Sequence, residues 1–231
     1  MRASEFYKAA KAAIDPMVKP LGFRRRGRFY YRIVNDIVQQ FCLFWLRFDF
    51  TVRFRVTSVY DSSAELIEGD EIYQLINGTN EWLGLRMVET APGVLAYEGP
   101  CANPFHIDLG QCAQVCAGAV GNYLLPFFEG MTDAQSALRL LRERGLEICP
   151  VDWSEGVDSI RSLGFLLGMG EWERAEKTLK AFLDWPHADG SYWNMMWKLY
   201  DALEALDVSG VLSYMDEREA ATYAELKWKR A

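Results

Sequence analysis

The sequence predicts an α+β protein: an antiparallel sheet with packed helices, followed by a C-terminal region of helical hairpins. Through much of residues 24–57, aromatic and β-branched residues alternate with polar ones at the period of two that a half-buried strand requires. From residue 151 onward, stretches with helical apolar spacing are separated by Gly- and Pro-containing breaks. We expect an α+β domain over residues 1–128 and a helical region over residues 129–231 that docks on it.

The first helix is predicted to begin near Ser4, whose side chain suits an N-cap. Its apolar stripe consists of Phe6, Ala9, Ala10, Ala13, Ile14 and Met17. Because proline lacks the N–H that a helix interior needs, we expect Pro16 to tighten or end the helix near Asp15. This helix is the expected cover for one face of the sheet.

Three strands are expected to follow as an antiparallel meander, at residues 24–34, 37–47 and 50–57. The third alternates most clearly between apolar and polar residues. The middle strand is apolar on both faces, so a second layer is expected to cover it. Asn35 and Asp36 tolerate a left-handed backbone and therefore predict a tight turn between the first two strands.

The start of this sheet contains a recognisable series of short segments: Leu-Gly-Phe, a run of arginines, a Gly, and Phe-Tyr-Tyr-Arg. The residues are Leu21, Gly22, Phe23, Arg24, Arg25, Arg26, Gly27, Phe29, Tyr30, Tyr31 and Arg32. With the preceding helix, they resemble a bacterial family of domains of unknown function. A Gln-Lys-Ser segment usual in that family is replaced here by Phe44-Trp45-Leu46-Arg47. The resemblance covers the N-terminal half and implies an α+β domain without an established activity.

The middle of the chain is predicted to contain a short hairpin and two helices. The hairpin strands are expected at residues 85–90 and 94–97, around an Ala-Pro-Gly turn. A helix rich in small residues is expected at residues 109–125, ending before Pro126. A further helix is expected at residues 133–144.

The C-terminal region is predicted to form helical hairpins. The predicted helices span residues 154–167, 171–183, 192–206 and 217–229. Residues 170–183 resemble the second helix of a tetratricopeptide repeat, in which a small residue, here Ala175, packs against the first helix. About three such repeats are needed for independent stability, and one pair matches well. We therefore expect a repeat-like tail rather than a free-standing solenoid.

Charge is distributed unevenly along the chain, whose net charge is −7. Residues 1–60 contain 12 Lys and Arg against 4 Asp and Glu, whereas the remainder contains 13 against 28. This uneven distribution of charge indicates either that the basic part of the chain binds an anion or that the basic and acidic parts face each other. Solvated charged surfaces are the simplest interpretation.

Composition restricts the class of protein. Half of the residues are hydrophobic, which is not typical of a disordered chain. No apolar run approaches the ~20 residues of a membrane-spanning helix, so no membrane association is expected. Five cysteines without a disulfide-rich spacing favour a reducing cytoplasm.

No metal site, catalytic residue or cofactor is predicted. His106, Cys112 and Cys116 suggest a metal site, but Cys101 or Cys149 would have to complete it from irregular loops, so buried thiols are the preferred interpretation.

Four other groups of residues could have a chemical or binding role, but each is better explained by a role in the structure or by an exposed surface. A cysteine–histidine nucleophile pair with His106 or His187 lacks any local signature. The glycines at 164, 168 and 170 lack the Lys-Ser/Thr of a phosphate-binding loop. The carboxylates Asp61, Glu65, Glu68, Asp70 and Glu71 are typical of an exposed acidic surface. The aromatic residues Trp172, Trp185, Trp193, Trp197 and Tyr200 are expected to pack in helix cores.

The arginines of the sheet are the main candidate interaction surface. The set comprises Arg24, Arg25, Arg26, Arg28, Arg32, Arg53 and Arg55. If the middle strand separates the outer two, Arg28, Arg32, Arg53 and Arg55 are expected to share one sheet face. Guanidinium groups match carboxylate and phosphate geometry. They also discourage edge-to-edge strand pairing, which is the alternative structural role.

These observations favour a non-enzymatic, cytoplasmic bacterial protein that binds another protein, in an adaptor or immunity-like role. One alternative is an enzyme that uses arginines and carboxylates on an anionic substrate. Another is nucleic-acid binding through the basic strand, against which stand a pI near 5.0 and the lack of a recognised motif. The partner and the oligomeric state do not follow from the sequence.

Overall fold

The computed structural model describes residues 3–46, 49–61, 86–91, 94–98, 109–143, 160–184 and 191–228. It confirms the α+β class: a four-stranded antiparallel sheet, a separate two-stranded hairpin and several helices. The chain divides into two compact units. The first comprises Met1–Val34, Gln39–Val56 and Ile67–Met131, and the second comprises Asn35–Val38, Thr57–Leu66 and Thr132–Ala231. The docking of the two sequence regions stays a prediction.

Helix α1 spans Ala3–Val18 and continues as a 3-10 turn over Lys19–Leu21. Pro16 was expected to tighten or end the helix near Asp15; it does not end it there, since α1 continues to Val18 and the tighter 3-10 turn follows. Pro16 lies in the last turn, where its missing N–H removes a single hydrogen bond. The chain instead turns at Gly22, whose φ of +85° is readily available only to glycine.

The main sheet has four strands, in the order β1 (Arg24–Arg26), β2 (Phe29–Val34), β3 (Ile37–Leu46) and β4 (Asp49–Ser58). The predicted single strand over residues 24–34 is therefore wrong, and the meander has four strands instead of three. Gly27, with φ +61°, and Arg28 form a tight turn that pairs β1 with β2. A left-handed glycine at the first turn position suits such a hairpin.

The turn at Asn35 and Asp36 between β2 and β3 is confirmed. Asn35 has a φ of +54°. Its side-chain amide donates a hydrogen bond to the carbonyl of Thr132 at 2.6 Å. The Asp36 carbonyl accepts one from the backbone N–H of Val59 at 2.8 Å. Asn35, Asp36, Val59 and Thr132 all belong to the second unit. The turn between β2 and β3 is therefore hydrogen-bonded to the segments around Val59 and Thr132 of the same unit.

The helix predicted for residues 109–125 begins as expected but does not end before Pro126. Helix α2 spans Leu109–Ala119, widens into a π-helical turn over Val120–Leu124, and continues as α3, Leu125–Glu129. The wide turn bonds the Leu125 N–H to the Val120 carbonyl, five residues back. Pro126 then falls at the start of a new α-helical segment, where its missing N–H is tolerated.

Aromatic rings form the core between the sheet and these helices in the first unit. Tyr30 stacks on Phe41 with ring centroids 4.6 Å apart. Phe41 and Phe128 both contact Phe23, and Phe54 contacts Phe128. We call the side of the sheet that carries Tyr30, Phe41 and Phe54 the helix-covered face. Residues 37–43 of β3 are all buried, which confirms that both faces of the middle strand are covered.

The short hairpin in the middle of the chain is confirmed. Strands β5 (Arg86–Ala91) and β6 (Val94–Glu98) pair in antiparallel register.

The second unit contains five of the described helices. They are α4 (Ala134–Glu143), α5 (Leu163–Gly168, after a 3-10 turn at Ile160–Ser162), α6 (Trp172–Leu183), α7 (Ser191–Glu204) and α8 (Val208–Glu225). The predicted start of α4 is confirmed, because the Asp133 carboxylate accepts from the Ser136 N–H at 2.7 Å and the Ser136 hydroxyl accepts from the Asp133 N–H.

The predicted hairpin across residues 168–170 is confirmed, and Ala175 is fully buried on α6. The last helix was predicted too late, at residue 217. It begins at Val208, with the Asp207 side chain accepting a hydrogen bond from the Ser209 N–H. Ser209 and Gly210 disfavour helix interiors, which hid this start in the sequence. No helix in the described part of the chain is long and apolar enough to cross a membrane.

Candidate interaction surface on the basic hairpin

Strand β1 consists of three consecutive arginines at an edge of the main sheet. Arg24, Arg25 and Arg26 are all exposed. We call β1, its turn and β2 the basic hairpin. Arg24 pairs with Tyr31, and Arg26 pairs with Phe29. Because paired residues project to the same side of a sheet, Arg24 and Arg26 lie on the face opposite Tyr30.

Arg25 lies on the helix-covered face, since it pairs with Tyr30. Its Nη1 donates to the carbonyl of Gly27 at 2.6 Å, and its Nε lies 4.0 Å from Oδ1 of Asp15. The guanidinium of Arg28 lies 5.2 Å from the ring centroid of Phe29. Arg25 and Arg28 are thus both oriented by the hairpin itself.

The buried Asp15 carboxylate of α1 interacts with three side chains: the hydroxyl of Tyr30, the ammonium of Lys19 and the guanidinium of Arg25. The Tyr30 phenol donates to its Oδ1 at 2.8 Å. The Lys19 ammonium lies 3.0 Å from its Oδ2, one helical turn away. The hydrogen bond from Tyr30 of β2 to Asp15 of α1 confirms that this helix covers one face of the sheet.

The electrostatics of this cluster fix its protonation state. Burial raises the pKa of Asp15, but hydrogen bonds from Lys19 and Tyr30 and the charges of Lys19 and Arg25 outweigh it, so the pKa lies below its ordinary value. Burial, followed by the hydrogen bond to Asp15 and its negative charge, raises the pKa of Tyr30. At neutral pH, Asp15 is ionised and Tyr30 is protonated. Neither group is poised for proton exchange near pH 7, which makes the cluster an anchor for the hairpin.

Arg32 fastens the segment before β1 to the sheet. Its Nη1 donates to the carbonyl of Leu21 at 2.9 Å, and its Nε donates to Oε1 of Gln39 at 2.7 Å. Its guanidinium lies 4.6 Å from the ring centroid of Phe23. Burial lowers the pKa of Arg32, and the charge of Glu129 opposes that shift. A guanidinium nonetheless stays charged in proteins.

Gln39 extends this connection to the helices, because its Nε2 donates to the carbonyl of Phe128 at 2.8 Å. Gln39 and Arg32 therefore lie on the helix-covered face. Arg55 follows Phe54 on β4 and, by strand alternation, points to the opposite face, where it is buried. The prediction that Arg32 and Arg55 share a face is wrong. The side chain of Arg53 lies outside the described residues.

The structure thus separates the predicted arginine set. Arg24, Arg25, Arg26 and Arg28 lie at the β1 side and the turn of the basic hairpin. Arg32, on β2, is half-buried against Leu21 and Gln39, and Arg55 on β4 is buried. The sequence did not single out Asp15 and Gln39, which contact the hairpin, or Lys19, which pairs with Asp15, and it did not show that Tyr30 of β2 would bind Asp15. Asp15 left one signal: a carboxylate next to Ile14 of the apolar stripe and one turn before Lys19.

The structure describes only some of the candidates that the sequence offers for a metal site, a nucleophile pair or an acidic surface. Cys116 is buried. Among the residues that the structure describes, no group of three or more His, Cys, Asp or Glu side chains could hold a metal ion. The other metal and nucleophile candidates, and the acidic cluster apart from Asp61, lie outside the described side chains. These are Cys101, His106, Cys112, Cys149, His187, Glu65, Glu68, Asp70 and Glu71.

The aromatic stripe of α7 is only partly buried. Tyr200 packs into the core as predicted, but Trp197 is exposed and contacts the Tyr200 ring edge-on. Trp172 is half-buried, and the side chains of Trp185 and Trp193 lie outside the described residues.

Comparison with known proteins identifies no relative. No protein-family model, curated protein or solved structure matches this chain.

Proposed function

We propose that this protein binds another protein through the basic hairpin, as a cytoplasmic bacterial adaptor or immunity-like protein without catalytic activity. One observation carries the proposal: an edge strand made only of arginines, all exposed. An edge strand needs a charge to prevent pairing with another sheet, but three consecutive guanidinium groups exceed that need. They form a cationic sheet edge, with Arg24 and Arg26 on one face and Arg25 on the other.

The chemistry of these side chains favours a carboxylate-bearing protein as the partner. Guanidinium groups bind carboxylates with paired hydrogen bonds. Arginine is also enriched at protein interfaces. The net charge of −7 disfavours nucleic acid, because the whole chain repels polyphosphate at long range.

The surroundings of the hairpin support recognition by a fixed surface. Arg25 is held by the Gly27 carbonyl and by the charge of Asp15, while Tyr30 anchors β2 to α1. A surface whose groups are already ordered loses less conformational entropy on binding. The ionised Asp15 and protonated Tyr30 suit this anchoring role and do not suit general acid–base chemistry.

Capture from a lysate of the native host tests the proposal. Tagged full-length protein is compared with the Arg24→Glu/Arg26→Glu variant, after nuclease treatment and at low and moderate salt. Lys177→Glu/Lys198→Glu is the matched control, since both lysines are exposed on the helices of the second unit. We expect a stoichiometric protein that the hairpin variant loses and the control retains.

Two results would contradict the proposal. Equal capture by the hairpin variant and the wild-type protein would show that the arginines do not bind the partner. Loss of all bound material on nuclease treatment would favour nucleic-acid binding instead.

The proposed location in the cytoplasm is supported by the state of the described cysteines. Cys42 and Cys116 are buried thiols outside any disulfide. A reducing compartment maintains such thiols.

A further inference from the structure

The turn between α7 and α8 exposes apolar side chains beside carboxylates. Leu206 is 80% exposed, and Val208 and Leu212 are each about half exposed. Val208 and Leu212 are one helical turn apart on α8, so their side chains are neighbours. Asp216 follows one turn later, with Glu217 beside it, and both are exposed. We call these five residues the α7–α8 surface.

Leu206 occupies a backbone position that normally belongs to glycine. Its φ is +52°. The Asp207 N–H bonds to the Ala202 carbonyl at 2.8 Å, and the Leu206 N–H bonds to the Leu203 carbonyl at 3.1 Å. This is the hydrogen-bond pattern of a Schellman helix end, in which the left-handed residue is usually Gly. The leucine here combines backbone strain with a side chain that is 80% exposed, so its apolar surface is available to an external contact.

The basic hairpin, together with the 3-10 turn at Lys19–Leu21 that precedes it, offers the complementary surface. Leu21 is an exposed large apolar residue of the first unit. Lys19 and Arg24 flank it in sequence, and all three are exposed, as is Arg26. The α7–α8 surface therefore combines three exposed apolar side chains with two carboxylates, whereas the hairpin side combines one exposed apolar side chain, Leu21, with the cationic groups of Lys19, Arg24 and Arg26. An apolar centre with a polar rim is the usual arrangement of a protein interface.

We infer that the α7–α8 surface of one chain binds the basic hairpin of a second copy of the same chain. The charge complementarity and the strained, exposed Leu206 carry this inference. The contact joins two different surfaces, so it is heterologous and forms rings or open chains. The inference rests on the proposed function in its use of the hairpin, and it names a second copy as the partner.

A charge exchange tests the pairing directly. The molar mass of the purified full-length protein is measured by light scattering over a range of concentrations. We expect a mass above that of one chain, falling as salt rises from about 50 to about 500 mM. Arg24→Glu/Arg26→Glu and Asp216→Lys/Glu217→Lys should each weaken association roughly tenfold. Mixing the two variants should restore it, because every contact between unlike variants again joins opposite charges.

Leu206→Gly provides a second, independent readout. Removing the strained leucine should raise the melting temperature of the chain while weakening its association. A variant that merely unfolds cannot give both results. Circular dichroism of each charge variant confirms that it is folded.

Three results would overturn the inference: a monomer at every concentration, association that survives both charge reversals, or variants that do not associate when mixed. A monomer whose hairpin still captures a different host protein would leave the proposed function standing. If capture of the host protein does not depend on the hairpin arginines, the proposed function is contradicted, whatever the oligomeric state.

Discussion

The phenol of Tyr30 donates a 2.8 Å hydrogen bond to the carboxylate of Asp15, joining the second strand of the sheet to the first helix. Both groups are buried. In addition to the hydrogen bond of its hydroxyl group, Tyr30 has a ring contact, because its ring stacks on that of Phe41. This single pair therefore sets the position of the basic hairpin relative to the helix that covers it.

Tyr30→Phe should destabilise the protein without emptying the core. The phenylalanine ring keeps the stacking on Phe41, but Asp15 loses a donor that stabilises its charge. Hydrogen bonds to charged groups contribute about 1.5–3 kcal/mol, so we expect the free energy of unfolding to fall by that amount. Urea denaturation measures it. A loss below about 0.5 kcal/mol would contradict the role of the Asp15 contact.

The same cluster should make stability depend on acid pH. The pKa of Asp15 is lowered in the folded protein, so its stabilisation is fully present above the unfolded-state pKa of about 3.9 and is lost as pH falls through the lower folded pKa. Asp15→Asn should be less stable at neutral pH and should lose less stability between about pH 5 and pH 2. Urea unfolding at several pH values tests this. Parallel curves for the two proteins would show that Asp15 does not contribute to the dependence.

The sequence predicted the class of the fold and several of its elements, because apolar periodicity and turn residues are local signals. The Asn35 turn and the α5–α6 hairpin depended only on such signals and were found. The β1–β2 hairpin was missed because Gly27 is compatible with both a strand and a turn. The three arginines before Gly27 do not alternate with apolar residues, so the sequence does not show how this segment pairs with its neighbour.

The arrangement of the arginines was beyond reach of the sequence for a different reason. Alternation shows that Arg32 and Arg55 each occupy one face of their strands, but it does not show which face meets the helices. That depends on contacts such as the one between Gln39 and the Phe128 carbonyl, which join distant segments. The buried position of Asp15 has the same origin, since Tyr30 and Arg25 come from the hairpin.

Arg32→Lys should destabilise the protein even though it retains the positive charge. A lysine ammonium cannot replace both the bond to the Leu21 carbonyl and the bond to Gln39 while lying over the Phe23 ring. We expect a loss of about 1–3 kcal/mol in the free energy of unfolding. Arg24→Lys, at an exposed position, should stay within about 0.5 kcal/mol of the wild-type protein. Similar losses in both variants would contradict the anchoring role of Arg32.

Gln39 and Gln40 provide the sharpest comparison, since they are adjacent, buried and on opposite faces of β3. The Gln39 side chain accepts from Arg32 and donates to the Phe128 carbonyl. Both polar atoms of the Gln40 side chain are buried, and within the described part of the chain neither has a hydrogen-bond partner. Removing a satisfied amide leaves its partners unpaired, whereas removing an unsatisfied one relieves a desolvation cost of about 1–3 kcal/mol.

Methionine approximates the size of glutamine, so Gln39→Met and Gln40→Met change polarity with little change in volume. We expect Gln39→Met to lower the melting temperature and Gln40→Met to raise it. Thermal unfolding followed by circular dichroism distinguishes them in one experiment. If Gln40→Met is destabilising, then the amide of Gln40 has a hydrogen-bond partner in solution, and the expected relief of a desolvation cost is wrong.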